Sequence, residues 1–212
     1  MGDDSVKQYF ESLYLNEDEL LLTIETYASG NRIPIMEKDS IEFLKQLIRI
    51  HQPKHILEVG TAIGYSAIQM ANAAPIAKIT TIEIDEKRYD IALKNIKEAN
   101  VEDRVHVVLA DAKEYLQQLP ETTTFDFAFI DAAKGQYQAF FELIDPFMSQ
   151  HGLIVTDNIL LRGYVINQNT ENKRLNKLGR KVDLFNKWLI SNNAYDTTFV
   201  ETGDGIAISR KK

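Results

Sequence analysis

The sequence contains no cysteine, so the protein has neither disulfide bonds nor a thiol nucleophile. This excludes the small disulfide-bonded folds of secreted proteins and every mechanism that needs a cysteine thiolate. Histidine is also scarce, and the histidines present do not show the spacing of a metal site; they are His51, His55, His106 and His151. We expect ordinary structural roles for them.

Long apolar runs and an excess of basic residues are missing as well. No segment approaches the roughly 18 consecutive apolar residues of a membrane span, and the start of the sequence, Met1–Ser5, is acidic and not followed by the apolar stretch of a secretory signal. We therefore expect a cytoplasmic protein with no membrane partner. The 24 basic and 31 acidic residues give a net charge of −7, which argues against indiscriminate polyanion binding but leaves room for a local basic patch.

The remaining composition fits one globular domain. The 212 residues are 44% hydrophobic and 26% charged, as is ordinary for a globular protein with a sizeable core. We expect a single domain over residues 1–212, in which helices within residues 3–50 precede a sheet.

Apolar patterns that alternate between strand and helix spacing predict a parallel sheet with helices on both faces. The expected strands are 55–59, 78–84, 105–109, 125–130 and 152–156, and the expected helices between them are 64–73, 86–99, 112–118 and 135–148. Before the sheet we expect two helices within 3–30, closing at Gly30, and a third at 37–50. After it we expect a polar segment at 162–172, a helix from 171 to about 191, and a hairpin of 197–201 and 206–209.

The segment Ile56–Ser66 predicts a cofactor site. Its first half predicts a short buried strand, and Gly60 and Gly64 form a turn that enters a helix. Glycines let a ligand lie against the backbone, and the N–H groups that begin the helix favour an anionic or polar group. Glu83 ends the next strand about 20 residues later, where a carboxylate can bind the hydroxyls of a ribose. Two glycines alone are a weak signal, but small or acidic residues also end the following strands, at Ala110-Asp111 and Asp131.

Oxygen-bearing side chains follow two neighbouring strands. Asp131 comes directly after strand 125–130, and Asp157-Asn158 follows strand 152–156. Two carboxylates and an amide carbonyl suit a hard divalent cation such as Mg²⁺, which keeps positions open for substrate oxygens. The alternative is structural, because Asp-Asn is also a common turn and Asp131 could cap the next helix. The recurrence of acids at strand ends favours the metal site.

Five motifs together resemble a known enzyme family: LEVGTAIGYSA, TTIEID, LADA, FDFAFIDAAKGQY and IVTDN. They are similar to those of the cation-dependent class I S-adenosylmethionine O-methyltransferases, which include caffeoyl-CoA and catechol O-methyltransferases. The resemblance runs from about Pro34 to the last residue. It implies a Rossmann-like α/β fold with seven strands in the order 3-2-1-4-5-7-6, the last one antiparallel, and helices on both faces. IPIMEK at 33–38 and the stretch 131–141 look most similar to bacterial enzymes that methylate 5-hydroxyuridine at the tRNA wobble position.

The resemblance implies a role for each matching residue. The cofactor S-adenosylmethionine would contact Met36, Glu58, Gly60, Ser66, Glu83, Ala110, Asp111 and Asp131. Mg²⁺ or another divalent cation would be held by Asp131, Asp157 and Asn158. Lys134 stands where the family has a lysine that takes the proton of the substrate hydroxyl. Since the metal itself promotes loss of that proton, Lys134 could instead orient or stabilise the oxyanion.

The substrate is open between two classes. A catechol-like phenol and 5-hydroxyuridine both present two neighbouring oxygens to a metal. The resemblance favours tRNA, and so does a basic stripe on the helix from 171. The stripe consists of Lys173, Lys177, Arg180 and Lys181, and Arg162 and Arg174 lie nearby. Such a stripe is more often simply the solvated face of an amphipathic helix. Relatives suggest a homodimer.

Two other functions share part of the pattern. A nicotinamide-dependent dehydrogenase would have the glycine turn and the ribose acid, but it does not explain Asp131 together with Asp157-Asn158. A catalytically silent cofactor-binding protein would be expected to lose Lys134 or a metal ligand, and the sequence retains them all. Both are remote alternatives.

Overall fold

The structure, a computed structural model, describes residues 4–14 and 18–212 and contains a seven-stranded mixed sheet. The strands are β1 His55–Val59, β2 Lys78–Glu83, β3 Val105–Leu109, β4 Phe125–Ile130, β5 Met148–Thr156, β6 Tyr195–Val200 and β7 Ile206–Lys211. The α-helices are α1 Asp4–Leu13, α2 Glu19–Asn31, α3 Lys38–His51, α4 Tyr65–Ala73, α5 Glu86–Glu98, α6 Ala112–Gln117, α7 Tyr137–Ile144 and α8 Lys173–Ser191. The strand order β3-β2-β1-β4-β5-β7-β6 confirms the predicted order, and β7 runs antiparallel to both β5 and β6.

The chain divides into two compact units, Met1–Asp111 and Ala112–Lys212. The first carries β1 to β3 and the helices up to α5, and the second carries the remaining elements. The single domain expected over residues 1–212 stays a prediction.

Parallel strands form the core of the first unit. β1 pairs with β2, and β2 pairs with β3, so that Val59 lies beside Ile82 and Glu83 lies beside Leu109. The last four residues of β1 are all buried, as expected for a strand covered on both faces. This register brings the carboxyl ends of β1, β2 and β3 to one edge of the sheet.

An aromatic cluster forms part of the core of the second unit. The ring of Phe141 lies 5.2 Å from that of Trp188 and 4.9 Å from that of Tyr195, both edge-on. Phe140 is also buried. These ring contacts pack α7 against α8 and β6.

The helix predicted over 135–148 is wrong in extent. Lys134–Gln136 and Asp145–Phe147 are single 3₁₀ turns, and only Tyr137–Ile144 is α-helical. Pro146 lies in the second of these turns, and because proline has no N–H to donate, the α-helix ends before it. Strand β5 consequently begins at Met148 rather than at 152.

Other boundaries also differ from the prediction. Helix α2 continues through Gly30, and Arg32 takes the left-handed capping conformation with φ 54°. Strand β6 begins at Tyr195 rather than at 197, and β7 extends to Lys211.

Within residues 4–14 and 18–212, none of the helices combines the length and the apolar content that crossing a membrane requires.

Candidate active site

The turn after β1 has the backbone conformation that its glycines predict. Gly60 and Gly64 have φ values of 108° and 86°, a region that side chains with a Cβ rarely adopt. A Cβ on Gly64 would also lie 3.4 Å from the Cα of Ala92 in α5. Since Gly64 is the N-cap of α4, the turn brings a ligand to the N–H groups that begin that helix.

Glu83 ties this turn to the end of β2. Its Oε2 accepts a hydrogen bond from the N–H of Ala62 at 2.8 Å, and its Oε1 accepts from the N–H groups of Ile84 and Asp85, each at 2.9 Å. A carboxylate offers about four lone-pair sites, so about one is left for a ribose hydroxyl. Glu83 is therefore placed as predicted, but part of its bonding capacity shapes the turn.

Glu58 and Ser66 belong to a buried hydroxyl network. The side chain of Glu58 is completely buried and accepts hydrogen bonds from the hydroxyls of Ser66 and Thr81, each at 2.5 Å. The hydroxyls of Thr81 and Thr61 are 2.6 Å apart. Glu58 is thus bonded to hydroxyls of α4 and β2, and its contact with the cofactor stays a prediction.

An anchor between α2 and α4 was not predicted from the sequence. The hydroxyl of Tyr65, the first residue of α4, donates to Oε1 of Glu25 at 2.7 Å. Burial, and then this bond to Glu25, raise the pKa of Tyr65 well above its usual range, so the phenol stays protonated. The two residues are 40 positions apart, and no local pattern in the sequence indicates that they meet.

The other predicted cofactor residues of the first unit occupy two places. Ala110 directly follows β3, and its N–H bonds the carbonyl of Glu83 at 2.9 Å; Asp111 is the next residue, and both are partly exposed. Met36 is buried in the connector between α2 and α3. The structure brings Gly60, Glu83 and Ala110 to neighbouring strand ends. The cofactor roles of these residues, and of Met36 and Asp111, stay predictions.

In the second unit, the predicted metal ligands meet at the carboxyl ends of β4 and β5. These strands are parallel with Ile130 beside Thr156, which places Asp131 and Asp157 at the same edge. The N–H of Asp157 donates to the carbonyl of Ile130 at 3.1 Å. Asn158 has φ 57°, a left-handed conformation that asparagine tolerates, and its N–H donates to Oδ1 of Asp157 at 2.7 Å.

Lys134 joins the two sides of this group. Its Nζ lies 2.8 Å from Oδ1 of Asp131 and 2.5 Å from Oδ1 of Asn158. The side chains of Asp131 and Lys134 are 24% and 25% exposed, so a molecule in solvent can reach them. The predicted base and two predicted ligands therefore form one hydrogen-bonded group.

Asp157 is held in an environment that disfavours its charge. Burial, followed by the negative charges of Asp131 and Asp204, raises the pKa of Asp157 to about 8. The N–H of Asn158 and the charge of Lys134 lower this pKa and offset part of the rise. A buried carboxylate beside a second carboxylate is stabilised by a bound cation, so the residues fit a divalent metal. No group of three or more acidic or histidine side chains suited to a metal occurs in the described part of the chain, so the candidate set is two carboxylates and an amide.

Tyr137 bonds the backbone of the group formed by Asp131, Lys134, Asp157 and Asn158, and it was not predicted as a site residue. Its hydroxyl donates to the carbonyl of Asp157 at 2.8 Å, and the ring of Phe185 lies 5.4 Å from its own. Burial, followed by the charges of Asp131 and Asp157, raises the pKa of Tyr137 well above its usual range. Its position three residues after Lys134 was the available signal, but nothing in the sequence shows that it faces Asp157.

The basic residues of α8 lie on its exposed face. Val182, Phe185 and Leu189 are buried, whereas the exposed basic side chains of this region are Arg162, Lys173, Arg174, Lys177, Arg180 and Lys181. Lys181 comes nearest to the Lys134 turn, because a Cβ built on Gly135 would lie 3.6 Å from its Nζ. The predicted stripe therefore exists and has one end beside the Asp131–Lys134 segment.

Comparison with known proteins identifies the family of the chain. Residues 9–212 match the sequence profile of a family described as O-methyltransferase. The chain is 33% identical to a catechol O-methyltransferase of Niastella koreensis over 216 residues, which cover 97% of this chain and 96% of that relative. It is 30% identical to a caffeoyl-CoA O-methyltransferase of Populus kitakamiensis over 226 residues, which cover 100% of this chain and 95% of that relative.

The fold is similar to that of solved methyltransferases. The crystal structure of an O-methyltransferase from Bacillus cereus in complex with SAH (S-adenosylhomocysteine) superposes with a TM-score of 0.86 and 29% identity, covering 98% of this chain and 97% of that chain. This likeness, together with the strand order, confirms the predicted Rossmann-like fold.

Proposed function

The chain belongs to the O-methyltransferase family, and on that premise we propose that it transfers a methyl group from S-adenosylmethionine to one of two neighbouring oxygens of an acceptor, with the help of Mg²⁺. The observation that carries this proposal is the group formed by Asp131, Lys134, Asp157 and Asn158 at the ends of β4 and β5. An enzyme that only binds a nucleotide has no need of two adjacent carboxylates in this position. The family match removes the dehydrogenase alternative.

The residues of the chain have separate tasks in the proposed reaction. Gly60, Ser66 and Glu83 would bind the cofactor, and Asp131, Asp157 and Asn158 would hold the cation. When bound, Mg²⁺ supplies Lewis acidity that makes the acceptor hydroxyl a better nucleophile near neutral pH. Lys134, which donates to Asp131 and Asn158, places an ammonium group where it stabilises the acceptor oxyanion.

A small catechol-like phenol is the first candidate acceptor. Two vicinal oxygens match a site that binds a chelating ligand, and the relatives from Niastella koreensis and Populus kitakamiensis are named for catechol and caffeoyl-CoA. The net charge of −7 also favours a small acceptor over a large polyanion.

The tRNA 5-hydroxyuridine acceptor is the second candidate, and one observation favours it. The exposed basic face of α8 reaches the Lys134 turn through Lys181, so it could bind an RNA backbone near the acceptor group. The sequence resemblance to the bacterial wobble-uridine enzymes points the same way. In that case the protein would act in tRNA processing in the cytoplasm.

One experiment separates these candidates. Methyl incorporation from labelled S-adenosylmethionine is measured with catechol and with tRNA bearing 5-hydroxyuridine, each with Mg²⁺ and with EDTA. Labelling of catechol that EDTA abolishes supports the first candidate, and labelling of tRNA alone supports the second. Labelling that is equal with and without EDTA would contradict the metal dependence in both.

We also propose that the chain forms a homodimer. Helix α1 leaves apolar side chains at helical spacing exposed by 48 to 61%, namely Val6, Tyr9, Phe10 and Leu13. Such a face is stabilised by burial against a second protein surface. Sedimentation velocity should give twice the 24.2 kDa of one chain, and a Tyr9→Lys, Leu13→Lys double variant should be a monomer.

A further inference from the structure

We infer that Asp204, which is outside the proposed ligand set, is a positioning residue that holds the Asp157–Asn158 turn in the conformation that presents its oxygens to a cation. This inference rests on the metal dependence proposed above. It assigns a function to the turn between β6 and β7, which has no part in the reaction as described so far.

The Asp157–Asn158 turn is fixed on both sides by β7 and the residues before it. Thr156 pairs with Ala207 in the antiparallel ladder, and the N–H of Ile159 donates to the carbonyl of Gly205 at 3.1 Å. Thr156 and Ala207 are the last pair of that ladder, and β5 ends at Thr156. Asp157 and Asn158 therefore lie just beyond the strand, between two backbone contacts with the segment that leads into β7.

Asp204 makes two bonds to the chain that follows the Asp157–Asn158 turn. Its backbone carbonyl accepts from the N–H of Leu160 at 2.9 Å, and its carboxylate Oδ1 accepts from the N–H of Arg162 at 2.5 Å. The first is a backbone contact beyond the end of the ladder, and the second is a charge-assisted bond to a loop amide. Asp204 thus binds the loop at two points within four residues of Asn158.

The bonded loop has a backbone that needs such support. Leu161 and Arg162 have φ values of 48° and 51°, and Gly163 follows at 83°. A left-handed conformation strains a residue that carries a Cβ, and such conformations persist only when their surroundings hold them. The carboxylate of Asp204 is placed to hold the second of the two.

The turn approaches the loop so closely that only glycine fits beside Asp204. A Cβ on Gly205 would lie 2.7 Å from Cγ of Leu160, and Gly205 itself has φ 81°. The Asp204-Gly205 pair therefore combines direct packing on Leu160 with the bond to Arg162, so it acts as a rigid clamp. The negative charge of Asp204 also contributes to the raised pKa values of Asp157 and Tyr137, as expected for a nearby carboxylate.

The test measures Mn²⁺ binding by calorimetry, with Mn²⁺ alone as the probe, for the wild type and for variants at Asp204. Asp204→Ala removes the acceptor, and we expect the dissociation constant to rise about 10-fold to 100-fold, as for other residues that orient metal ligands. Asp204→Asn keeps an acceptor oxygen and should stay within about threefold of the wild type. Asp204→Glu keeps the charge but moves it by one methylene, so it should bind more weakly than Asp204→Asn. Amide exchange at residues 159–163 should quicken in Asp204→Ala.

Asp196 offers a matched control on the same hairpin. It is exposed and pairs with Lys212 at 3.3 Å, so Asp196→Ala should leave Mn²⁺ binding and exchange unchanged. SAH binding should be unchanged in all variants that fold.

Three results would overturn the inference. Asp204→Ala could bind Mn²⁺ within twofold of the wild type, or Asp204→Asn could be as weak as Asp204→Ala, or Asp204→Glu could bind like the wild type. The last two would mean that charge, and not position, matters. If the wild type itself bound no Mn²⁺, the proposed metal dependence would fail and this inference would fail with it. If the wild type bound Mn²⁺ and only the variants had dissociation constants other than those expected, this inference would fail and the proposed function would stand.

Discussion

Replacing Asp157 by asparagine should stabilise the metal-free protein at pH 8 and abolish its activity. Asp157 is 2% exposed, and burial together with Asp131 raises its pKa from 3.8 to about 8. Asparagine has nearly the same shape and removes the charge. Its Oδ1 can still accept the N–H of Asn158, which bonds Asp157 at 2.7 Å. The variant thus removes an unfavourable charge and keeps the local bond.

The pH dependence follows from the direction of this shift. A raised pKa means that the folded protein binds the Asp157 proton more tightly than the unfolded chain does, so this group lowers the free energy of unfolding as the pH rises from about 4 to about 8. The full shift corresponds to a ceiling of about 6 kcal/mol. Relaxation and water penetration reduce the cost of a buried charge, and we therefore expect Asp157→Asn to gain about 1–3 kcal/mol at pH 8. This is about 2–12 °C in Tm for a chain of this size.

Thermal denaturation at pH 5, 6, 7 and 8 in EDTA, and again with Mg²⁺, measures both effects. In EDTA the advantage of Asp157→Asn should grow with pH and be small at pH 5, where the wild-type carboxyl is protonated. Mg²⁺ should raise the Tm of the wild type, increasingly at higher pH, and should leave the variant unchanged. Asp196→Asn, at an exposed carboxylate, serves as the control. A variant less stable than the wild type at pH 8 in EDTA, or a difference independent of pH, would refute this reasoning.

Three further substitutions test other parts of the structure. Lys134→Arg keeps a positive charge but cannot take up a proton. If the role of Lys134 is electrostatic, Lys134→Arg should retain at least tenfold more methyl transfer than Lys134→Met in a radiolabel assay. An equal loss of methyl transfer in both variants would indicate that Lys134 is a base. Glu83→Gln replaces an oxygen that accepts backbone N–H groups by an amide donor. The affinity for SAH, measured by calorimetry, should fall about tenfold or more, and the free energy of unfolding should fall by about 1–3 kcal/mol. Unchanged affinity would remove Glu83 from the cofactor site. Gly179→Ala would place a Cβ 2.2 Å from the carbonyl oxygen of Tyr164, so urea denaturation should show a loss of about 1–3 kcal/mol, and a neutral result would mean that the loop and α8 separate easily.

Strand positions and the ends that carry chemistry could be predicted from the sequence. β1, β3 and β4 have the predicted bounds, because short apolar runs between turn residues are a local signal. Asp131 and Asp157 were predicted to lie together because carboxyl ends of neighbouring parallel strands share an edge. The strand order came from the resemblance to a known family and is confirmed by the structure.

Interactions between distant residues could not be predicted in this way. The bond from Tyr65 to Glu25, the support of Asp157 by Tyr137 and the clamp at Asp204 each join segments whose contact depends on tertiary packing. The helix expected over 135–148 failed for a different reason. Its apolar spacing continues past the point where Pro146 ends the α-helix, so the spacing alone predicts too long a helix.

The position of β7 has a consequence for the folding of the chain. β7 lies between β5 and β6 in the sheet, although it follows both in sequence. Until β7 has joined the sheet, β5 has an unpaired edge and β6 has no neighbour in it. An unpaired edge strand is a site for association with other incompletely folded chains. An intermediate in which β7 has not yet paired should therefore be prone to aggregation, and insertion of β7 should close this part of the sheet.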